Sequence, residues 1–294
     1  MEILAAVLAI GGLAFIFGAV LSYASKIFAV KIDERVEKIS EILPGANCGG
    51  CGAPGCSAYA ELVVKGTLPI DACAPGGSAV ASLIAGILGQ GPVEVIEKRA
   101  VVKCSGSHEN AVLKYEYYGI ESCKSAVLID EGPKACKYAC VGFGDCVSSC
   151  PFDAMYMMDN ALPFVIEEKC TACGNCVDAC PRNIMDILPK SEVIFVGCMS
   201  QGRAKEVKSA CKVGCTGCSL CAQEKITPGE AITMNGNLPE LHYDKDHEFE
   251  NAVAKCPSKI FVDLRKEDHG VKGRLPGVKE AKEEIVEEKV QENE

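Results

Sequence analysis

Residues 136–151 read CKYACVGFGDCVSSCP and residues 170–181 read CTACGNCVDACP. The second run is Cys170-x2-Cys173-x2-Cys176-x3-Cys180-Pro181. With that spacing three thiolates on one tight loop hold three irons of a [4Fe–4S] cluster, and the cysteine before the proline crosses to a neighbouring cluster. The first run has altered spacing, Cys136-x3-Cys140-x5-Cys146-x3-Cys150-Pro151. Crosswise sharing predicts one cluster on Cys136, Cys140, Cys146 and Cys180, and a second on Cys170, Cys173, Cys176 and Cys150. Structural zinc is the competing reading of CxxC pairs, but two runs each closed by Cys-Pro and sharing ligands form an iron–sulfur pattern. Disulfides fit worse, because the cysteines crowd closely and no cleavable signal precedes them. The pattern is that of an electron carrier.

Length and composition agree. The 294 residues leave room for two or three domains. Twenty cysteines, 29 glycines and no tryptophan describe small modules in which inorganic cores replace part of the apolar packing. A net charge of −10 argues against nucleic acid as a partner, since that surface must be basic. So many thiols point to a reducing compartment. No GxGxxG follows a strand, and no P-loop, nucleophile–base pair or zincin motif is found, so neither a nicotinamide site nor a catalytic site is expected.

Residues 3–25 (ILAAVLAIGGLAFIFGAVLSYAS) are uncharged and long enough to cross a bilayer as one helix. A signal peptide is the alternative, but Glu2 replaces the usual basic n-region and the run is too long. Lys26, Lys31 and Arg35 follow the run, which places the remainder on the cytoplasmic side of the cell (inner) membrane as a single-pass protein. Residues 32–43 carry Val36, Ile39 and Leu43 at helical spacing and predict a juxtamembrane helix ending at Pro44-Gly45.

A separate module follows, Cys48-x2-Cys51-x4-Cys56-x16-Cys73, in the glycine-rich setting LPGANCGGCGAPGC. Four cysteines make one [4Fe–4S] site, and glycines let backbone N–H groups turn toward sulfur. Residues 76–89 predict a small-residue helix and 92–102 a strand.

The chain then repeats itself. Cys123, Cys136, Cys140 and Cys146 recur 75 residues later as Cys198, Cys211, Cys215 and Cys221. Cys150, Cys170, Cys173 and Cys176 become Lys225, Lys245, Glu248 and Asn251, while Cys180-Pro181 survives as Cys256-Pro257. The second copy therefore loses one ligand set whole and keeps the other. This predicts a cluster on Cys215, Cys218, Cys221 and Cys256. Phe143 stands where Cys218 would be, so the first copy must recruit another thiol, assigned here to Cys136. Cys104, Cys123, Cys198 and Cys211 are left over. Buried free thiols are expected for them, with a fifth cluster on these four as the alternative.

Segments after each Cys-Pro predict a turn and short strand. The tyrosines at 115, 117 and 118 read as packing, and the four histidines, His242 and His247 among them, as solvent-exposed. From residue 266 the charged tail predicts a mobile segment or surface helix.

The expected fold class is α+β, with one N-terminal transmembrane helix, a small four-Cys [4Fe–4S] module and tandem bacterial-type ferredoxin-like units. The expected divisions are 1–30 for the anchor, 31–95 for the juxtamembrane helix and four-Cys module, 96–190 for a two-cluster unit, 191–265 for a degenerate one-cluster unit, and 266–294 for the tail.

The single span, CGGCGAPGC with Cys73, and GIESCKSA followed by GPKACKYACVGFGDCVSSCPFDAM together resemble the B subunit of the Rnf complex. The resemblance covers residues 1–257. It implies a component of a membrane-bound, ion-translocating ferredoxin:NAD oxidoreductase. Soluble ferredoxin would donate electrons, and integral-membrane and flavin-bearing subunits would receive them. NAD would bind elsewhere, and Na+ or H+ would be translocated. It also carries family ligands onto Cys48, Cys51, Cys56, Cys73 and the eight cysteines from 136 to 180. A stand-alone polyferredoxin would repeat only CxxCxxCxxxCP, and a corrinoid methyl-transfer protein needs a large αβ barrel that this length does not hold.

Overall fold

The computed structural model describes residues 2–27, 33–91, 93–245 and 249–275, with side chains from residue 10 onward in the first helix. Lys31, His247, Glu248 and the tail from 276 lie outside the described residues. Helix α1, Glu2–Ile27, is continuous through the apolar run. Among the described residues, however, no helix is long and apolar enough to cross a membrane. The side chains described in α1 begin at Ile10, and its last turns carry Ser22, Tyr23, Ser25 and Lys26. The expectation of a single span is therefore not supported by the described residues.

Asp33 opens helix α2, Glu34–Ile42, by accepting the Arg35 N–H at 2.9 Å. This satisfies one of the first-turn donors that a helix leaves unpaired. Ile39 and Leu43 bury against Tyr59, Ala60 and Val63 of α3, Cys56–Val64, and against Ile84 and Ala85 of α4, Gly77–Leu88. The Tyr59 hydroxyl donates to the Pro69 carbonyl at 2.9 Å, so the ring is buried without orphaning its polar tip. Helix α4 ends at Gly89, whose φ of 67° closes the last turn in the left-handed region.

Strand β1 is Lys98–Val102, shorter than the 92–102 expected. It is followed by α5 (Cys123–Val127), α6 (Asp145–Ser148), β2 (Met155–Met157), β3 (Pro163–Val165), α7 (Asn175–Ala179) and β4 (Met185–Pro189). The next stretch carries β5 (Ile194–Val196), α8 (Ala204–Ala210), β6 (Ile232–Asn235), β7 (Leu238–Leu241), α9 (Glu250–Lys255) and β8 (Phe261–Asp263). All pairing is antiparallel and two-stranded: β1 with β4, β2 with β3, β5 with β8, and β6 with β7. The same plan is thus laid down twice, a first strand paired with the last, and a hairpin between them.

The two strand pairs pack on each other. Val101 of β1, Phe195 of β5 and Val262 of β8 form one buried cluster with Val271, and Leu188 of β4 leans against it. Arg99, 3 % exposed, ties the connection between the copies by donating to the Lys190 and Glu192 carbonyls, both at 2.8 Å, and to Glu167 at 3.2 Å. Cysteines supply much of the remaining core. Cys146 and Cys176 bury with Ala100, Val102, Met155 and Met185, and Cys198 and Cys215 with Ile232 and Phe261.

Two expectations are corrected. Residues 266–275 are neither mobile nor a surface helix, because Val271 is fully buried and Arg274 is 5 % exposed against the first copy. His269 is half-buried and stacks on Phe164, and burial pulls its imidazole down to about 4, so it is neutral at pH 7. His242 bonds the Thr233 hydroxyl at 2.7 Å, and His108 is exposed. Tyr117 packs on Phe143 with centroids 5.2 Å apart.

Candidate metal centres

Cys48, Cys51, Cys56 and Cys73 line one cavity of about 340 Å³, counting its mouth. The glycine-rich loop reaches this geometry because Asn47 accepts the Cys56 N–H at 2.8 Å, which caps α3 and aims Cys56 inward. Burial pushes the Cys73 thiol up, against the pull of the Gly76 N–H, and the neighbouring Cys56, Cys51 and Cys48 add to the rise.

Cys150, Cys170, Cys173 and Cys176 line a second cavity of about 310 Å³. Burial, reinforced by Cys170, Cys173 and Cys150, pushes Cys176 up to about 12. The Ala100 N–H points at the Cys170 sulfur at 3.3 Å. This cavity touches the first one's loop: Asn175 donates to the Cys48 carbonyl at 3.1 Å, and a Cβ on Gly50 would stand 2.3 Å from the Cys173 carbonyl oxygen.

The third cavity, about 340 Å³, is lined by Cys123, Cys140, Cys146 and Cys180. Cys136 is not among its lining residues, which corrects the grouping drawn from the spacing alone. The reason is local. Asp145 accepts from the Cys123 N–H at 2.9 Å, the Lys124 N–H at 3.1 Å and the Ser122 hydroxyl at 3.0 Å. That carboxylate caps α5 from the start of α6 and brings Cys123 to Cys146. The three donors outweigh partial burial and hold Asp145 below the usual carboxylate range. Burial, together with Cys180, Cys123 and Cys176, pushes Cys146 up to about 12.

Cys136 instead lines a fourth cavity of about 350 Å³ with Cys104, Cys198 and Cys211. The alternative grouping of leftovers, which had Cys123 in that place, is corrected by the same exchange.

Cys215, Cys218, Cys221 and Cys256 form the last group. Burial, with Cys215, Cys256 and Cys218 as near neighbours, pushes Cys221 up to about 12. Cys218 is the exposed one of the twenty cysteines.

Among the described residues, no group of His, Cys, Asp or Glu is arranged to hold a single metal ion. The cavities are wider than one ion, since a water molecule's share of liquid is about 30 Å³. Four thiols around a space of this size, with N–H groups aimed at sulfur, fit a [4Fe–4S] cluster. As free thiols with raised pKa values they are protonated at pH 7, so loading must expel protons.

Comparison with known proteins follows the same division. Residues 43–75 match the family described as "Putative Fe-S cluster" and residues 139–185 the "4Fe-4S dicluster domain". The second match holds seven of the eight thiols lining the second and third cavities, so the eighth comes from outside it. The B subunit of the ion-translocating oxidoreductase complex of Methanosarcina acetivorans is 38% identical over 87% of this chain and 96% of its own length. The chain belongs to that B-subunit family. The B subunit of the Na(+)-translocating ferredoxin:NAD(+) oxidoreductase complex of Acetobacterium woodii is 41% identical, covering 84% of this chain and 74% of its own. The proton-translocating counterpart of Clostridium ljungdahlii is 42% identical over 83% and 86%. These relatives are named as parts of a multi-subunit oxidoreductase, and this chain is such a part.

Proposed function

We propose that this chain is the iron–sulfur electron carrier of an ion-translocating ferredoxin:NAD oxidoreductase, taking electrons from reduced ferredoxin and handing them to membrane and flavin-bearing subunits. The observation that carries this is the contact between successive thiol groups. The Cys48 group abuts Cys173, Cys176 lies beside Cys146, and Cys140 touches Cys104. Clusters bound at these thiols supply one-electron storage. The protein buries the thiols, aims N–H groups at them and fixes their spacing. Our reading assigns clusters to Cys48, Cys51, Cys56 and Cys73; to Cys150, Cys170, Cys173 and Cys176; to Cys123, Cys140, Cys146 and Cys180; and to Cys215, Cys218, Cys221 and Cys256. Exposed Cys218 marks the end open to a soluble donor, and the Cys48 group, packed beside α2, the end nearest the membrane.

The anaerobically loaded full chain is expected to take up electrons from reduced ferredoxin with loss of its visible iron–sulfur absorbance. Zinc without acid-labile sulfide in the purified chain would overturn the proposal.

The anchor is part of this reading. A 26-residue helix is about 39 Å long at 1.5 Å per residue, against about 30 Å of hydrocarbon. Phe15 (78 %), Ile10 (70 %) and Leu21 (69 %) are exposed on α1, a surface that water does not favour. Lys26 and Arg35 after it favour the cytoplasmic side. Deleting residues 1–27 should move the chain, expressed without its partner subunits, from the membrane pellet to the supernatant. A truncated chain that stays in the pellet would refute the anchor.

A further inference from the structure

We infer that Cys104, Cys136, Cys198 and Cys211 hold a fifth [4Fe–4S] cluster between the two ferredoxin-like copies, bridging the clusters on either side. This rests on the electron-carrier reading above.

The site is built symmetrically. Cys104 lies two residues beyond β1 and Cys198 two residues beyond β5, the equivalent strand of the second copy. Cys136 and Cys211 are likewise equivalent, 75 residues apart in the repeat. Each copy thus gives one thiol from the end of its first strand and one from the loop before its cysteine run. The hydrogen bonds repeat as well: the Cys140 N–H points at the Cys104 sulfur at 3.4 Å, and the Cys215 N–H at the Cys198 sulfur at 3.4 Å. Residues 110–114 lie between the two loops and set their separation. The Val112 N–H donates to Ala210 at 2.9 Å, the Ala135 N–H to Val112 at 2.8 Å and the Lys212 N–H to Asn110 at 2.8 Å.

The surroundings ask for an anion. Arg274 is 5 % exposed, and its guanidinium donates to the Cys104 and Val102 carbonyls and the Ser105 hydroxyl at 2.7–2.9 Å, with no carboxylate among these partners. Lys134, 3 % exposed, donates to the Gly106 carbonyl at 2.7 Å. Burying a cation without a counter-charge is costly. Two such cations beside a cavity of four thiols are explained by a group that carries net negative charge when bound to four thiolates. The cavity, about 350 Å³, matches the three others lined by four cysteines. The assignment also leaves no cysteine over, since the twenty fall into five groups of four.

The position gives the site its role. Cys140 of the third group and Cys215 of the last each donate an N–H to one of its sulfurs. One electron arriving from one side leaves to the other, with no net redox change.

The test is iron and acid-labile sulfide on the anaerobically purified full chain and on C104S, C211S and C123S variants. About twenty irons per chain are expected for the unmodified protein, and about sixteen for C104S and for C211S, by the four-thiolate rule. C123S should disturb the third group's cluster instead, giving a different reduced electron paramagnetic resonance spectrum from C211S. About sixteen irons in the unmodified chain, or full iron in C211S, would overturn this inference while leaving the electron-carrier reading intact. Zinc without sulfide would remove both. Because a cysteine variant can misfold, Arg274→Gln provides a second readout. Loss of that cation should lower one cluster's reduction potential at constant iron content. Unchanged potentials in all clusters would count against a cluster beside Arg274.

Discussion

Gly50→Val is expected to leave every cluster assembled and yet separate the four-Cys module from the ferredoxin-like copy behind it. A Cβ at residue 50 would lie 2.3 Å from the Cys173 carbonyl oxygen and 3.1 Å from its carbonyl carbon. The obstacle is backbone, in a loop already committed to holding Cys170, Cys173 and Cys176 around one cavity, so it cannot swing aside as a flexible side chain would. Overpacking of this kind costs about 1–3 kcal/mol, which corresponds to about a 5- to 150-fold change in the docked-to-undocked ratio. The Asn175 bond to the Cys48 carbonyl, at 3.1 Å, would open with it. The measurement is rapid-mixing reduction of the reconstituted chain by ferredoxin, with iron counted on the same sample. Full iron together with slowed reduction of the module's cluster is the expected outcome. Full iron with unaltered kinetics would show that electrons reach the module by another approach.

The contrast between Gly50 and Cys123 shows what a sequence can and cannot disclose. Cys48, Cys51, Cys56 and Cys73 are grouped by a local loop, as are Cys170, Cys173 and Cys176, and their spacing carries the geometry within one or two turns of chain. The crossing thiols Cys150 and Cys180 are also legible, because Cys-Pro marks them. The corner left open by Phe143 is different in kind. Either Cys123 or Cys136 satisfies the spacing, and the choice depends on Asp145 reaching back to cap α5, a tertiary contact between residues 22 apart. Nothing periodic announces it.

The pairing of Cys104 with Cys198 leaves a fainter trace. AVVKCSGS and VIFVGCMS both end an apolar strand and place a cysteine two residues later. The repeat is visible at an offset of 75 residues, and this pair sits at a different offset because the insertion between β1 and α5 is longer in the first copy. The tail misleads for a similar reason. Its composition is that of a solvated segment, but Val271 fills a gap between the two strand pairs, and Arg274 places its charge beside thiols that are far away in sequence. Charge-rich composition predicts exposure only where no buried counter-charge is on offer.

Cys51→Ala is expected to stop electron flow from ferredoxin into the membrane complex while the rest of the chain remains reducible. The substitution leaves three thiols at the first cavity, and iron should fall by about four per chain if the cluster is lost outright. The other groups share no ligand with it. Their cavities are closed by residues from β1, β4 and the loops beyond 100, so their clusters should still load and accept electrons at the Cys218 end. What is lost is the last position before the membrane. The Cys48 group packs beneath α2, which follows α1 after a short connection, and no other thiol group lies in that core. Two readouts on one variant therefore separate placement from folding. Ferredoxin-dependent reduction of the purified variant should persist, and ferredoxin-dependent NAD reduction by membranes carrying it should fall to background. A fall in both would point to a chain that no longer folds, for which Gly50→Val, with its cysteines intact, remains the independent check. Membrane activity that survives with the cluster absent would place the delivering end elsewhere, and the order of positions proposed above would have to be reversed.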